Sequence, residues 1–423
     1  MKKNSGNIMI VGFALFSMLF GAGNVIFPPY LGLGCGKLWA QGFLYYYAAD
    51  IGLALACLFA IARCGGHSGI TGHLGKTPAL ILTTVIILCI GPMLGIPRTG
   101  ASTFEMCIRP LFPKVNSVLF SAVFFTLIAV LSIHESSVVD LIGKILTPFL
   151  LLGLLILIFK GILTPLGPVP DRVLVNNVPV TGINAGYQTM DVLAVVIFGI
   201  LILRTIEQKG YEKRSSQNRI IFGAGLIAGI SLLVIYLGLS YLGVTASGYF
   251  DLSVDHTFLV TSIVHLLLGQ AGTVLFAIVV SLACITTAVA LVSACADYFS
   301  GLTGGKMPYM AAVILICLFS GVVTTFGLNQ IILVAGPILD VVYPPTLFII
   351  MLSFFDRWIH NDWVFRLGAV GACGVSFLGV AGRLGAPLDF IQDLPFYRFG
   401  FGWILPAAVL ALLGALIPAP KRK

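Results

Sequence analysis

Charge is what this 423-residue chain has least of: Asp, Glu, Lys and Arg together make up 9% of it, against about 25% in a soluble domain. So little charge cannot keep the surface of a water-dispersed globule wetted, and a soluble protein is excluded. Enzyme signatures are missing as well. The chain has no H-E-x-x-H, no G-x-S-x-G, no Walker A run and no paired acidic metal motif, so intramembrane hydrolysis and ATP-driven transport have no foothold. Neither an enzyme nor a cofactor is expected. The nine cysteines are odd in number, show no C-x-x-C spacing and sit mostly in apolar runs, which favours buried small residues over disulfides or a metal site. Of the six histidines, His67 and His73 fall in an inner loop, and His134, His256, His265 and His360 at or near span boundaries. A histidine proton relay inside the bilayer is therefore not expected. No cleavable leader is expected either, because the apolar segment after Met1-Lys2-Lys3 runs past signal-peptide length.

What is present is apolar sequence: 58% of residues are hydrophobic and the mean hydropathy is +1.05. Runs near the roughly 20 residues that cross a bilayer recur along the whole chain. Hydropathy with Gly, Pro and charge punctuation predicts twelve spans, at 8–33, 39–62, 78–103, 115–133, 138–159, 187–206, 220–243, 272–300, 309–326, 330–354, 363–381 and 400–417. The chain reads as a single transmembrane domain over 1–423, with no separate soluble domain. With the N-terminus inside, fifteen Lys and Arg fall in inner segments and seven in outer ones, which places both termini in the cytoplasm and the protein in the cytoplasmic (inner) membrane. The net charge of +8 is this orientation signal. It collects in short loops and not in an aromatic-lined groove, so membrane lipid and a small-molecule substrate are the expected partners, with no nucleic acid and no obligate protein partner.

Two outer loops are longer than a turn, 161–186 and 245–270, and the second carries "HTFLVTSIVHLLLG", apolar enough for a short helix on the outer face. Each is either a lid or a plain connector. A weak echo links "VVDLIGKILTPFLLL" in span five to "ILDVVYPPTLFII" in span ten. Five is odd, so a repeat at that interval is inverted, as is common in secondary transporters.

Three segments carry candidate chemistry. In "GAGNVIFPPY", Pro28 and Pro29 withdraw two backbone donors while Gly21 and Gly23 permit unusual dihedrals. The segment reads either as an unwound stretch between half-helices, whose ends bind ions, or as a Pro-kinked helix with Gly at a close crossing. In "NAGYQTMDVLAVVIFG", Gly186, Tyr187, Gln188, Thr189 and Asp191 precede an apolar run; this is a matching break or the N-cap of an ordinary helix. In span eight, Ala283, Thr286, Thr287, Ala290, Ala294 and Asp297 form one helical stripe, suited to a desolvated monovalent cation or to simple packing with each hydroxyl bonded back. Intramembrane ionisable residues are functional candidates because of their cost in hydrocarbon: Asp50, Asp140, Asp191 and Asp340, with Arg98 and Lys144 as basic counterparts.

The ordered segments "GFALFSMLFGAGNVIFPPYLG", "GPMLGIPRTGASTFE", "DLIGKILTPFLLL", "GYQTMDVLAVVIFG", "SLACITTAVALVSACADYF" and "LDVVYPPTLF" resemble the bacterial branched-chain amino acid:cation symporters over nearly the whole chain. The resemblance implies an all-α, LeuT-like fold of twelve transmembrane helices. It has two inverted five-helix repeats, 8–160 and 187–354, two peripheral helices in 363–417, and discontinuous helices one and six. It implies import of leucine, isoleucine and valine coupled to sodium, or in some members to protons. It places Gly21, Ala22, Gly23 and Asn24 near the substrate carboxylate, with Gly186, Tyr187, Gln188 and Thr189 from the second break also at the amino acid. Ser17, Phe20 and Ala283 through their carbonyls, with the Thr286 and Thr287 hydroxyls, would surround the sodium ion. The competing readings are the same fold serving another small neutral amino acid, and, from a different class, a passive channel or membrane sensor.

Overall fold

The computed structural model describes residues 2–64, 70–133, 137–208, 211 and 213–418. Of the residues named above, Met1, His67 and His134 lie outside the described set, as do the side chains of Lys2, Lys3, Ala22, Asp140 and Lys144. Among the described residues every regular element is helical, with no strand. Six helical stretches are long and apolar enough to cross a membrane: Gly23–Cys64, Lys76–Ile108, Arg214–Gly248, His256–Leu302, Leu328–Ser353 and Asp362–Arg383. Five shorter apolar helices accompany them, at Asn7–Leu19, Ser117–Ile133, Leu150–Leu163, Tyr309–Thr324 and Ile404–Leu416. This is a multi-pass membrane protein. All nine cysteines are free, and only Cys373 is exposed.

The first span is two helices, α1 (Lys2–Leu19) and α2 (Ala22–Cys35). After α3 (Trp39–Tyr47) a π-helical turn, Ala48–Gly52, carries Asp50 into α4 (Leu53–Cys64). Two departures from the sequence reading follow. The third span is not continuous: α5 (Lys76–Leu88) gives way to a π-turn at Cys89–Met93, where Gly91 is non-helical and Pro92 lacks a donor, before α6 (Gly95–Thr103) resumes. The sixth span does not begin at Tyr187. Helices α7 (Ser117–Ile133) and α8 (Ser137–Leu163) are followed by α9 (Val178–Thr189), which occupies the end of the expected 161–186 loop. The Asn177 side chain caps α9 by accepting from the Val180 amide, and a proline stands in its first turn. Its polar, small-residue sequence hid it from a hydropathy window.

The chain continues as α10 (Asp191–Gln208), α11 (Arg214–Thr245) and α12 (His256–Leu302). The short helix expected in 245–270 is present. It runs into span eight through a bend at Gly269, whose φ of 65° is open to glycine at low cost. Then come α13 (Tyr309–Thr324), α14 (Leu328–Ser353), α15 (Asp362–Arg383) and α16 (Ile404–Leu416).

Lipid supplies no hydrophobic drive for helix association, so close backbone approach must do the work. At the α2/α11 crossing a Cβ on Gly243 would overlap the Pro29 carbonyl oxygen, and one on Gly32 would overlap that of Ser240. Helix α9 sits on α3 in the same way: a Cβ on Gly182 would stand 2.6 Å from the Gly42 carbonyl, and one on Gly186 2.9 Å from that of Tyr46. These crossings press both broken spans against the middle of the bundle.

Candidate functional site

The first break is shorter than its sequence suggests. Only Phe20 and Gly21 leave the helix, with Gly21 extended at φ −106° and ψ −180°. Pro28 and Pro29 lie inside α2, so they free carbonyls one turn back without ending the helix. The hydrogen bonds relocate at the break: the Gly21 amide donates to the Leu19 carbonyl at 3.1 Å and the Asn24 amide to the Gly21 carbonyl at 3.2 Å. Those amides would otherwise serve the carbonyls of Ser17 and Phe20, four residues earlier. Both carbonyls thus lose their helical donors.

The second break is one residue, Met190, in the left-handed conformation (φ 66°, ψ 15°). That geometry costs a non-glycine residue about 1–2 kcal/mol, a strain sustained by its burial between α9 and α10. Just before it, Thr189 Oγ1 lies 2.7 Å from Asp50 Oδ1 and 2.6 Å from the Gly186 carbonyl. Tyr187 stacks on Tyr343 with ring centroids 4.3 Å apart. The Gln188 carbonyl accepts a hydrogen bond from Arg98 Nη1, and Gln188 Nε2 reaches the Ile332 carbonyl at 3.5 Å.

The two breaks meet. Asn24 Nδ2 donates to Asp191 Oδ2 at 2.8 Å, and a cavity of about 50 Å³ opens beside that bond, lined in part by Gly21, Asn24, Arg98, Thr189, Asp191 and Thr287. Asp191 and Arg98, both buried, line it, and buried Asp50 reaches it through Thr189. The guanidinium of Arg98 lies 4.7 Å above the Phe27 ring, and His256, the first residue of α12, stacks on Tyr30 at 3.8 Å and meets Phe27 edge-on. The start of α12 therefore packs over this end of α2. Glu105 holds it there, accepting from the Thr257 hydroxyl at 3.1 Å and from the Leu328 amide at 2.9 Å.

Gly21, Asn24 and Thr189 thus line one cavity, as does Gly23. Gly186 serves the α9/α3 crossing, and Tyr187 and Gln188 face a second space toward α14 and α15, where Arg383 pairs with Asp340 at 2.5 Å. Of the candidate cation ligands, Ser17 is half-buried and Phe20 and Ala283 are buried. The Thr286 hydroxyl donates back to the Ala283 carbonyl at 2.9 Å, while Thr287 faces the cavity shared with Leu19 and Gly21. Of the five candidate cation ligands, only Thr287 lines the cavity at the first break. Asp50 and Arg98 were visible in the sequence as costly intramembrane charges, and Asp191 both as one and as part of the second break's polar cluster. The third helix break, near Gly91, was not read from the sequence, although the Gly/Pro-rich "IGPMLGIPR" that ends in Arg98 carries its signal.

The family model described as branched-chain amino acid transport protein matches residues 4–421. Branched-chain amino acid permease BraB of Bacillus subtilis (strain 168) is 34% identical over 427 residues, covering 97% of this chain and 95% of the relative. Among solved structures, the fold is similar to that of Mhp1, a nucleobase-cation-symport-1 family transporter in a closed conformation with bromovinylhydantoin bound. The TM-score is 0.65 at 15% identity, covering 97% of this chain and 92% of that one. It is also similar to MhsT in complex with L-phenylalanine, with a TM-score of 0.61 at 16% identity and coverage of 96% and 98%.

Proposed function

The chain belongs to the branched-chain amino acid transport protein family, and on that premise we propose that it is a secondary active symporter carrying leucine, isoleucine and valine with Na⁺ across the cytoplasmic membrane. The observation that carries this reading is the meeting of two helix breaks, at Phe20–Gly21 and at Met190, across one buried cavity bridged by Asn24 and Asp191. Half-helix ends at mid-membrane supply the partial charges that a zwitterion needs. Gly21, Ala22, Gly23 and Asn24, with Gly186, Tyr187, Gln188 and Thr189, are the proposed substrate region. Of these, Gly21, Gly23, Asn24 and Thr189 line the cavity that Arg98 and Asp191 also border.

The sodium ion would sit among the carbonyls of Ser17, Phe20 and Ala283 and the hydroxyls of Thr286 and Thr287. A cation drawing the first break toward α12 would stabilise the geometry that completes the substrate cavity, and this links ion to solute. We place the twelve spans as two inverted five-helix repeats plus α15 and α16, with both termini cytoplasmic. Transport then proceeds by alternating access, the start of α12 acting as the outer cover.

Proton coupling is the second reading, and one observation favours it. The Thr189 hydroxyl has a single hydrogen but two oxygen neighbours, at 2.7 and 2.6 Å. The Gly186 carbonyl can only accept; when the hydroxyl donates there, the Asp50 contact is a hydrogen bond only if Asp50 carries a proton.

Uptake of labelled leucine into proteoliposomes, with sodium and pH gradients imposed separately, tests the proposal. Uptake should follow the sodium gradient. Excess valine should suppress it, since one methylene in an apolar wall is worth only about 1–3 kcal/mol. Uptake indifferent to both gradients, with no counterflow exchange, rules symport out.

A further inference from the structure

Arg98 holds a guanidinium in the middle of the bundle with only 3% of the residue exposed. Burial at that depth is costly for a cation unless its donors are used. One donor is used: Nη1 serves the Gln188 carbonyl. Nε and Nη2 have no hydrogen-bond partner. Those two nitrogens are not a random pair. Their N–H bonds run parallel along one edge of the guanidinium plane, the side-on fork that matches the two oxygens of a carboxylate.

The surroundings hold this fork in place while leaving it unfilled. The Phe27 ring covers one side of the guanidinium at 4.7 Å. Gly23 lies so close that a Cβ there would stand 2.9 Å from Nη2. Among the described residues no carboxylate lies within ion-pair distance of Arg98. Asp191 has its Oδ2 taken by Asn24 and borders the same cavity as Arg98. A cation with a vacant bidentate edge and a carboxylate therefore border one small space, next to the positive N-terminal end of α2.

We infer that Arg98 is the residue that grips the carboxylate of the transported amino acid, through Nε and Nη2, while Asp191 receives its ammonium group. This rests on the reading of the cavity as an amino-acid site and goes beyond it. Recognition of the zwitterion then depends on two side chains as well as on half-helix backbone. It also explains why Gly23 carries no side chain: any Cβ would push the fork off its position. The binding of a carboxylate would complete the hydrogen bonding of a buried cation, so analogues without that group should be strongly rejected.

The experiment uses the purified full-length protein in lipid nanodiscs and measures displacement of labelled L-leucine. The competitors are L-leucine itself, L-leucinamide, 3-methylbutylamine and 4-methylpentanoate. For the wild type, leucinamide and 3-methylbutylamine should be at least about 100-fold weaker than leucine. Arg98→Lys keeps a cation and loses the fork, and should lower leucine affinity about tenfold or more while the preference over leucinamide collapses. Gly23→Ala should do the same to a smaller degree, with Arg98 intact. A wild type that takes leucinamide as well as leucine overturns the assignment without any variant, so a poorly folded Arg98→Lys protein does not shield it. Arg98→Lys protein with leucine affinity within about twofold of wild type overturns it too. A panel of other L-amino acids separates the two layers of the argument. A wild type that prefers an amino acid outside the branched-chain set, still requiring its carboxylate, removes the substrate reading and keeps Arg98. Binding of leucine with no carboxylate requirement does the reverse, and binding of no amino acid at all removes both.

Discussion

Asn24 and Asp191 are 167 positions apart in sequence and share a buried hydrogen bond of 2.8 Å. Each stands just after a helix break, so the bond ties the start of one half-helix to the start of another. Asn24→Ala would strand a buried carboxyl group, a loss of about 1–3 kcal/mol. Leucine uptake by this variant should fall at least about tenfold with the protein still reaching the membrane. Near-normal uptake would mean that the two breaks act independently.

Thr286 and Thr287 are neighbours with different surroundings. Thr286 is bonded back to Ala283, and Thr287 faces the cavity. Thr287→Ala should raise the sodium concentration for half-maximal uptake about tenfold, and saturating sodium should restore most of the rate. Sodium titration of uptake reads this directly. An unchanged sodium dependence moves the cation elsewhere.

Asp50→Asn supplies an amide donor where a protonated acid would stand against Thr189. The variant should fold and keep sodium-driven uptake, while any uptake driven by a pH gradient alone should vanish. Proton-driven uptake that survives the change would place the proton on another group.

Gly243→Ala would drive a methyl group into the Pro29 carbonyl at the α2/α11 crossing. Separating two backbones costs about 1–3 kcal/mol or more, which should appear as a lower melting temperature in detergent. Gly153→Ala, in α8 with nothing near its Cβ position, is the control and should hold or slightly raise stability.

Arg383 and Asp340 make the shortest ion pair among the described residues, yet the arginine is 53% exposed. Water screening leaves such a pair about 0–1 kcal/mol. Arg383→Gln should therefore change the melting temperature very little.

Much of this was legible in one dimension. The scarcity of charge and the recurring apolar runs fixed a helical membrane protein, because lipid leaves backbone polar groups no partner outside a helix or a closed barrel. The glycines before Asn24 and the polar cluster around Gln188 announced two breaks. The prolines misled: Pro28 and Pro29 looked like part of the rupture, but α2 absorbs them, and the rupture is confined to Phe20 and Gly21. Helix α9 was missed because it packs its glycines on α3 and needs no long lipid-facing surface.

The sequence by itself determined the class, the family resemblance and the neighbourhood of two of the helix breaks, since those follow from side-chain hydrophobicity and the local chemistry of Gly and Pro. Only the tertiary structure decided which charges share a cavity. Arg98 and Asp191 come from different spans and border one cavity, which Asp50 of a third span meets through Thr189, and this meeting depends on glycine-mediated crossings and on the path of each broken helix. Hydrogen-bond partners also exist only in three dimensions, and through them the fold left the side-on fork of Arg98 open.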